Sequence, residues 1–248
     1  MSAIKKFFFR KKNVPLACTI SLDDPSHVHT SACFHDIKPL SVVELFQSQG
    51  CQSCPPAIPK IHEGVNDPNL ILLTYDVTYF DHLGWTDTFA NKQWDQRQRA
   101  YVMKWGRNNL FTPQLIVDGV ADGTGAGSNE TQEIVEQARQ LRAQMDWHIS
   151  LDTNGTDLRI DSDRTEIETH DIVLVKYDPQ PQLIKIGKGP NKGKKLNHRN
   201  LVKEITKVGE WKGGNLMLPL PEQGHHGLEM VAFVQAGPGG PIVASQRI

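Results

Sequence analysis

Two thiols stand three positions apart at Cys51-Gln52-Ser53-Cys54, directly after the apolar run Val42-Val43-Glu44-Leu45-Phe46 and before Pro55-Pro56-Ala57-Ile58-Pro59. That order suits thiol–disulfide exchange: a strand ends, a C-x-x-C turns, and a helix begins. A helix start carries roughly half a positive charge and unpaired N–H groups, and both favour a thiolate over a thiol. Such placement lowers a cysteine pKa from about 8.5 to about 3.5–7.5, and the thiolate is the nucleophile. Two such thiols close a short disulfide and reopen it by exchange, which needs no cofactor.

The bland alternatives for this pair are a structural zinc site or passive burial. Zinc asks for four ligands, usually from a second C-x-x-C or a His pair. No second C-x-x-C exists in the chain, so no metal is expected there. The N-terminal run Cys18 … His27-Val28-His29 … Cys33-Phe34-His35 holds soft-metal ligand types but no zinc spacing, and it reads as a surface segment. In a metal-handling reading, Cys33 with His27, His29 or His35 would be the ligands.

The elements that must position the dithiol follow from apolar runs and turn residues. Residues 41–47 read as a buried strand and 55–64 as a helix with prolines in its first turn. Leu70 to Tyr75 is a second buried strand. The stretch 79–106 is aromatic and helical in pattern, most clearly over Asn91 to Met103. Gln114 to Val117 is a strand entering a tight turn at Asp118-Gly119, and Ser128 is placed to cap a helix running to about Met145. Beyond Asp146 the pattern turns to short strands: Trp147 to Leu151 and Asp157 to Ile160 around an Asn154-Gly155 turn, then 172–176, 216–218, 230–235 and 242–245. The chain therefore divides into an extension over 1–39, partly flexible, an α/β unit over 40–145 with a helical insertion at about 79–106, and a β-rich, sandwich-like unit over 146–248.

Bulk properties narrow the function classes. The 248 residues are 38% hydrophobic and 22% charged with a formal net charge of −1, so no basic excess points to nucleic acid. No apolar run approaches the roughly 18 residues of a membrane helix. Four cysteines are too few for a disulfide-stapled secreted scaffold of this length. The basic N-terminus lacks a signal-peptide core, so the cytoplasm is the expected compartment; the absence of acids before Asp23 keeps a mitochondrial presequence in view.

Several blocks carry a resemblance. Val43-Glu44-Leu45-Phe46-Gln47-Ser48-Gln49-Gly50-Cys51-Gln52-Ser53-Cys54-Pro55-Pro56-Ala57 resembles the signature of the thioredoxin-like family "domain of unknown function 1223". Asp81 to Asp87, Arg97 to Tyr101, Thr112 to Gly119 and Asn191 to Asn200 match it as well. The resemblance covers about residue 40 to the C-terminus. It implies an α/β thioredoxin-like domain with an appended β-rich domain, and no set substrate. By analogy with thioredoxins, Cys51 is the attacking thiol and Cys54 the resolving one. Thr112-Pro113 then forms the substrate-docking cis-proline segment opposite the C-x-x-C, and the 79–106 insertion sits beside the site.

Other candidates are weighed against plainer roles. Glu44, on the strand below the site, is a candidate proton acceptor for the resolving thiol, or equally a surface or ion-paired residue. His82 and Trp85 are candidates for a substrate groove, with Tyr79, Phe80 and Trp94 more readily assigned to packing. Lys185 to Arg199 carries six cations among glycines; a solvated loop is preferred to an anion site, and no nucleotide motif is present. The expected function is a thiol–disulfide oxidoreductase acting on a protein or small-molecule disulfide or dithiol. The alternatives are a redox-sensing or partner-binding module and, less favoured, a metal-handling protein. Substrate, direction of electron flow and oligomeric state are left open.

Overall fold

β1 (Ser41–Gln47) is buried along its whole length, pairing parallel with β2 (Leu70–Asp76) and antiparallel with β3 (Gln114–Val117). Burial on both faces is why these strands read as mostly apolar runs. The computed structural model describes residues 39–221 and 227–248. The expected N-terminal extension, with Cys18, His27, His29, Cys33 and His35, lies outside the described residues, apart from position 39.

Strand alternation assigns each side chain a face. Val43 and Leu45 join Leu70, Leu72, Leu115 and Val117 in one cluster; Val42 and Phe46 join Ile71, Leu73 and Ile116 in another. The first face is covered by α1 (Cys54–Gly64) through Ile58 and Ile61, and by α3 (Glu130–Arg142) through Ile134, Val135 and Ala138. The second is covered by α2 (Lys92–Lys104) through Trp94 and Tyr101.

Local chemistry sets the helix ends. Prolines occupy the first turn of α1, where a missing N–H leaves no bond unmade. The Asn91 side chain caps α2, accepting from Gln93 N at 2.9 Å. At α3 the N-cap is Asn129 rather than Ser128, and the helix ends at Arg142 rather than near Met145. The Glu130 carboxylate turns back instead, accepting from the N–H groups of Thr124 and Gly127 at 2.9 and 3.0 Å.

The central sheet is larger than the 40–145 segment. With β4 (Ala121–Gly123), β7 (His170–Asp178), β10 (Leu201–Trp211), β12 (Glu229–Gln235) and β13 (Ile242–Arg247), it has eight strands in the order β13-β12-β7-β10-β2-β1-β3-β4. The join is at Leu201 opposite Thr74, where Thr74 N donates to Asn200 O at 3.0 Å. The boundary drawn at 145/146 therefore falls within one sheet. A second sheet, ordered β11 (Leu216–Pro219), β6 (Asp157–Ser162), β5 (Ile149–Thr153), packs through Leu151, Leu158 and Ile160 onto Ile172, Leu174, Ala232 and Val234. Its β5–β6 turn is the Asn154-Gly155 pair: Gly155 has φ 91°, and Asn154 Oδ1 accepts from the N–H groups of Thr156 and Asp157.

Two features were not anticipated. β10, an eleven-residue strand, has register shifts at Val202/Glu204 and Lys207/Gly209. Each bulge flips the alternation, so its polar sequence shows no period of two. The segment 182–198 is the hairpin β8 (Gln182–Lys185) and β9 (Lys195–His198); Ile186, just past β8, and Leu196, within β9, pack in the same cluster as Cys51, Cys54 and Ile58. Among the described residues no helix is long and apolar enough to cross a membrane.

Candidate dithiol site

β1 delivers the chain to a turn in which Cys51 N donates to Ser48 O at 3.2 Å and Cys54 N to Cys51 O at 3.4 Å. α1 starts at Cys54, which places the two sulfurs at its N-terminal end. Both cysteines are free thiols; Cys54 is wholly buried and Cys51 is 3% exposed. The antiparallel pairing of β3 with β1 sets Gln114 opposite Phe46 and so brings the preceding residues beside the turn. The Thr112–Pro113 peptide is cis, and the Thr112 carbonyl oxygen lies 3.3 Å from Cys51 Sγ.

The two thiols are driven apart in acidity. A hydrogen bond from the Cys54 thiol draws Cys51 down to about 6, against its own burial. The Thr112 side chain and the backbone at Ser53 and Cys54 act in the same direction. The Thr112 hydroxyl is buried with no other partner, so it is available to a sulfur anion. Burial raises Cys54 well above its ordinary value, and the neighbouring Cys51 raises it further. One thiol is thus ionised near neutrality and the other held protonated, so a nucleophile and a protonated neighbour stand side by side.

Three segments close over this pair. The Phe80 side chain stands against Gly50 so tightly that a Cβ there would lie 2.9 Å from Phe80 Cβ, which excludes any residue but glycine without movement. Trp85 Nε1 donates to Gln49 Oε1 at 2.8 Å. The third segment is the loop between β8 and β9. Its Asn191 is fully buried and donates from Nδ2 to Cys51 O at 2.6 Å and to Gln49 O at 2.9 Å. Gly187 of that loop lies against the Trp85 ring, so these two segments also touch each other. Asn191 is absent from the sequence-derived site residues; the signals were the family-matching block from Asn191 to Asn200 and the apolar Ile186 and Leu196 bracketing a lysine- and glycine-rich stretch.

The remaining candidates are placed as follows. Glu44 is fully buried on the face opposite the dithiol, because it alternates with Val43 and Leu45. There Arg97 clasps it, Nε to Oε1 at 2.5 Å and Nη2 to Oε2 at 3.0 Å, and the Tyr101 hydroxyl donates to Oε2. The structure does not bring Glu44 to Cys54. His82 is exposed on a short 3₁₀ turn, Asp81–Leu83, whereas Trp85 and Phe80 do reach the C-x-x-C turn. Tyr79 lies within electrostatic reach of both cysteines; burial chiefly raises its phenol, which donates to Gln98 Oε1 at 3.2 Å.

Behind the turn lies a buried polar group. The Asp87 carboxylate accepts from Gln49 N at 2.6 Å and Phe89 N at 2.9 Å, and burial with the nearby Asp76 raises it to about 7. Burial raises Asp76 to about 8, and His198 Nε2 stands 3.4 Å from its Oδ2. Among the described residues no group of three or more His, Cys, Asp or Glu side chains is arranged to hold a metal ion.

Comparison with solved structures finds protein AGR_C_4864 from Agrobacterium tumefaciens at 27% identity and a TM-score of 0.67, covering 85% of this chain and 94% of that one. HBP35 of Porphyromonas gingivalis is similar in fold, with 12% identity, a TM-score of 0.52 and coverage of 85% and 74%. No curated protein matches the sequence. The family model described as "Protein of unknown function (DUF1223)" matches residues 42–235, a span that holds the C-x-x-C, the cis-proline segment and Asn191 alike, and the chain belongs to that family.

Proposed function

We propose that this chain is a thiol–disulfide oxidoreductase in which residues around β1–β3, α1 and α3 form a thioredoxin-like unit. The observation that carries the reading is the opposed acidity of two adjacent free thiols, Cys51 near 6 and Cys54 raised, with Cys51 Sγ beside the Thr112 carbonyl. The Cys51 thiolate attacks one sulfur of a substrate disulfide. That S–S bond breaks, a Cys51 mixed disulfide forms, and the other half leaves as a thiolate that takes up a proton. Cys54 then gives up its proton, attacks Cys51 Sγ, and expels the second half as a thiolate. A Cys51–Cys54 disulfide remains, the substrate has gained two electrons, and the protein has lost two.

One observation favours a second reading, a redox-responsive module. Cys51 is only 3% exposed, so its oxidation state would act chiefly on the segments packed over it. One pair of measurements separates the two. The oxidoreductase reading expects a Cys51 alkylation midpoint near 6 and loss of insulin-disulfide reduction in Cys51→Ser. A midpoint at the ordinary thiol value, with turnover unaffected by Cys51→Ser, overturns it.

A further inference from the structure

We infer that the substrate of this dithiol is a peptide-sized disulfide carrying carboxylates, attracted by the lysine-rich loop between β8 and β9. The inference rests on the dithiol reading and specifies its substrate class. The loop is pinned inward by Ile186, Asn191 and Leu196, all buried, while Lys188, Lys192, Lys194 and Lys195 are exposed. Its closure is tight: Gly193 N donates to Ile186 O at 2.8 Å and Ile186 N to Lys194 O at 2.9 Å. Lys194 Nζ donates to Asn191 Oδ1 at 3.0 Å, and the same amide donates to Cys51 O at 2.6 Å. That ammonium is two hydrogen bonds from the carbonyl of Cys51, inside the roughly 8–10 Å over which exposed charges act at physiological salt.

The positive charge is local and uncompensated. Residues 185–199 hold six cations and no acid, in a chain whose net charge is −1. Among the described residues none of the six is held by a carboxylate; Lys194 is bonded to Asn191 instead. The facing segment carries two acids: Asp81, whose Oδ1 accepts from Asp87 N at 3.0 Å, and the buried Asp87, raised to about 7 and turned to Gln49 N. On the other side of the hairpin a groove of about 520 Å³ runs along α1 from Pro55, with Lys195 and Arg199 on its wall against one acid, Glu63. A rim of one sign concentrates ligands of the other and speeds their encounter by about 10–10³-fold. The slight exposure of Cys51 favours a slim disulfide over a folded protein surface.

The test uses the full chain as Cys54→Ser, which stops at the mixed disulfide. Rate constants for Cys51 are measured with oxidised glutathione (anionic) and cystamine (cationic), each relative to the uncharged bis(2-hydroxyethyl) disulfide. Oxidised glutathione should exceed cystamine at least about tenfold at low salt, and the ratio should fall towards one at 0.5 M salt, roughly the screening expected of exposed charges. Lys188→Gln/Lys192→Gln/Lys195→Gln, which spares the Lys194 bond, should lower the ratio without salt. Equal reactivity of the two charged probes, or a ratio unmoved by the triple change, overturns the inference and leaves the dithiol reading intact. Failure of all three disulfides to react removes the dithiol reading and the substrate class with it.

Discussion

Asn191 Nδ2 lies 2.6 Å from the carbonyl oxygen of Cys51, a partner 140 positions earlier in the chain, and 2.9 Å from that of Gln49. One side chain thereby holds two carbonyls of the turn that carries Cys51. Asn191→Ala leaves the Gln49 carbonyl buried without a donor, at a cost of about 1–3 kcal/mol, and the Cys51 carbonyl with only the 3.4 Å bond from Cys54 N. The variant should unfold at lower denaturant, and its Cys51 should alkylate faster at a pH where the thiol is already ionised. Unchanged stability together with an unchanged rate would show that the loop does not hold the turn.

The Cys54 thiol is the largest influence lowering Cys51. Cys54→Ala removes that donor, so the Cys51 midpoint should climb from about 6 towards its ordinary value. Cys54→Ser keeps an O–H and should raise it less. A pH titration of iodoacetamide reactivity reads both, and identical midpoints in the two variants would contradict the assignment.

Glu44 and Arg97 form a desolvated ion pair on the face away from the sulfurs, with Arg97 stacked near the rings of Tyr75, Tyr101 and Phe233. Glu44→Gln leaves a buried guanidinium without its counter-charge and should cost about 3–5 kcal/mol. The alkylation midpoint of Cys51 should stay where it is. A moved midpoint with little loss of stability would restore Glu44 to the chemistry.

Asp76 gives a pH-dependent test. Burial raises its pKa from 3.8 to about 8, so the folded state favours the protonated acid. The sign follows: its contribution is complete below about pH 4 and is lost as pH rises to about 8, at up to about 1.4 kcal/mol per unit. Asp87, raised to about 7, acts in the same sense, while His198, lowered by burial, acts oppositely on the acid side of 6.5. Asp76→Asn should therefore be more stable than the parent at pH 8, with the gap narrowing towards pH 5. Urea midpoints across that range test it, and parallel curves would count against a buried neutral acid.

The buried strands β1, β2 and β3 were legible because burial on both faces leaves mostly apolar runs, broken in β1 only by Glu44 between its flanking polar ends. Asn154-Gly155 was legible because its turn needs the left-handed backbone that Gly155 supplies. β10 was not, since two bulges scramble its alternation and most of its outward side chains are charged. Cys51, Cys54, Thr112 and Pro113 could be singled out locally, and their juxtaposition follows from β3 lying beside β1. Glu44 was ambiguous because strand parity alone does not say which face carries the sulfurs. Asn191 was hidden for a different reason: a polar residue between lysines reads as solvated until a tertiary partner supplies acceptors for its amide.

The outer edge of β2 is met by residues 199–201: Asn200 O accepts from Thr74 N, Asn200 Nδ2 donates to Leu72 O at 2.8 Å, and Leu201 sits opposite Thr74. A fragment cut after residue 145 would therefore bare a raw strand border, an invitation to self-association, and strip the roof from its own sulfurs. The dithiol half is not a portable cassette; it comes with the rest of the polypeptide or it sticks to its siblings.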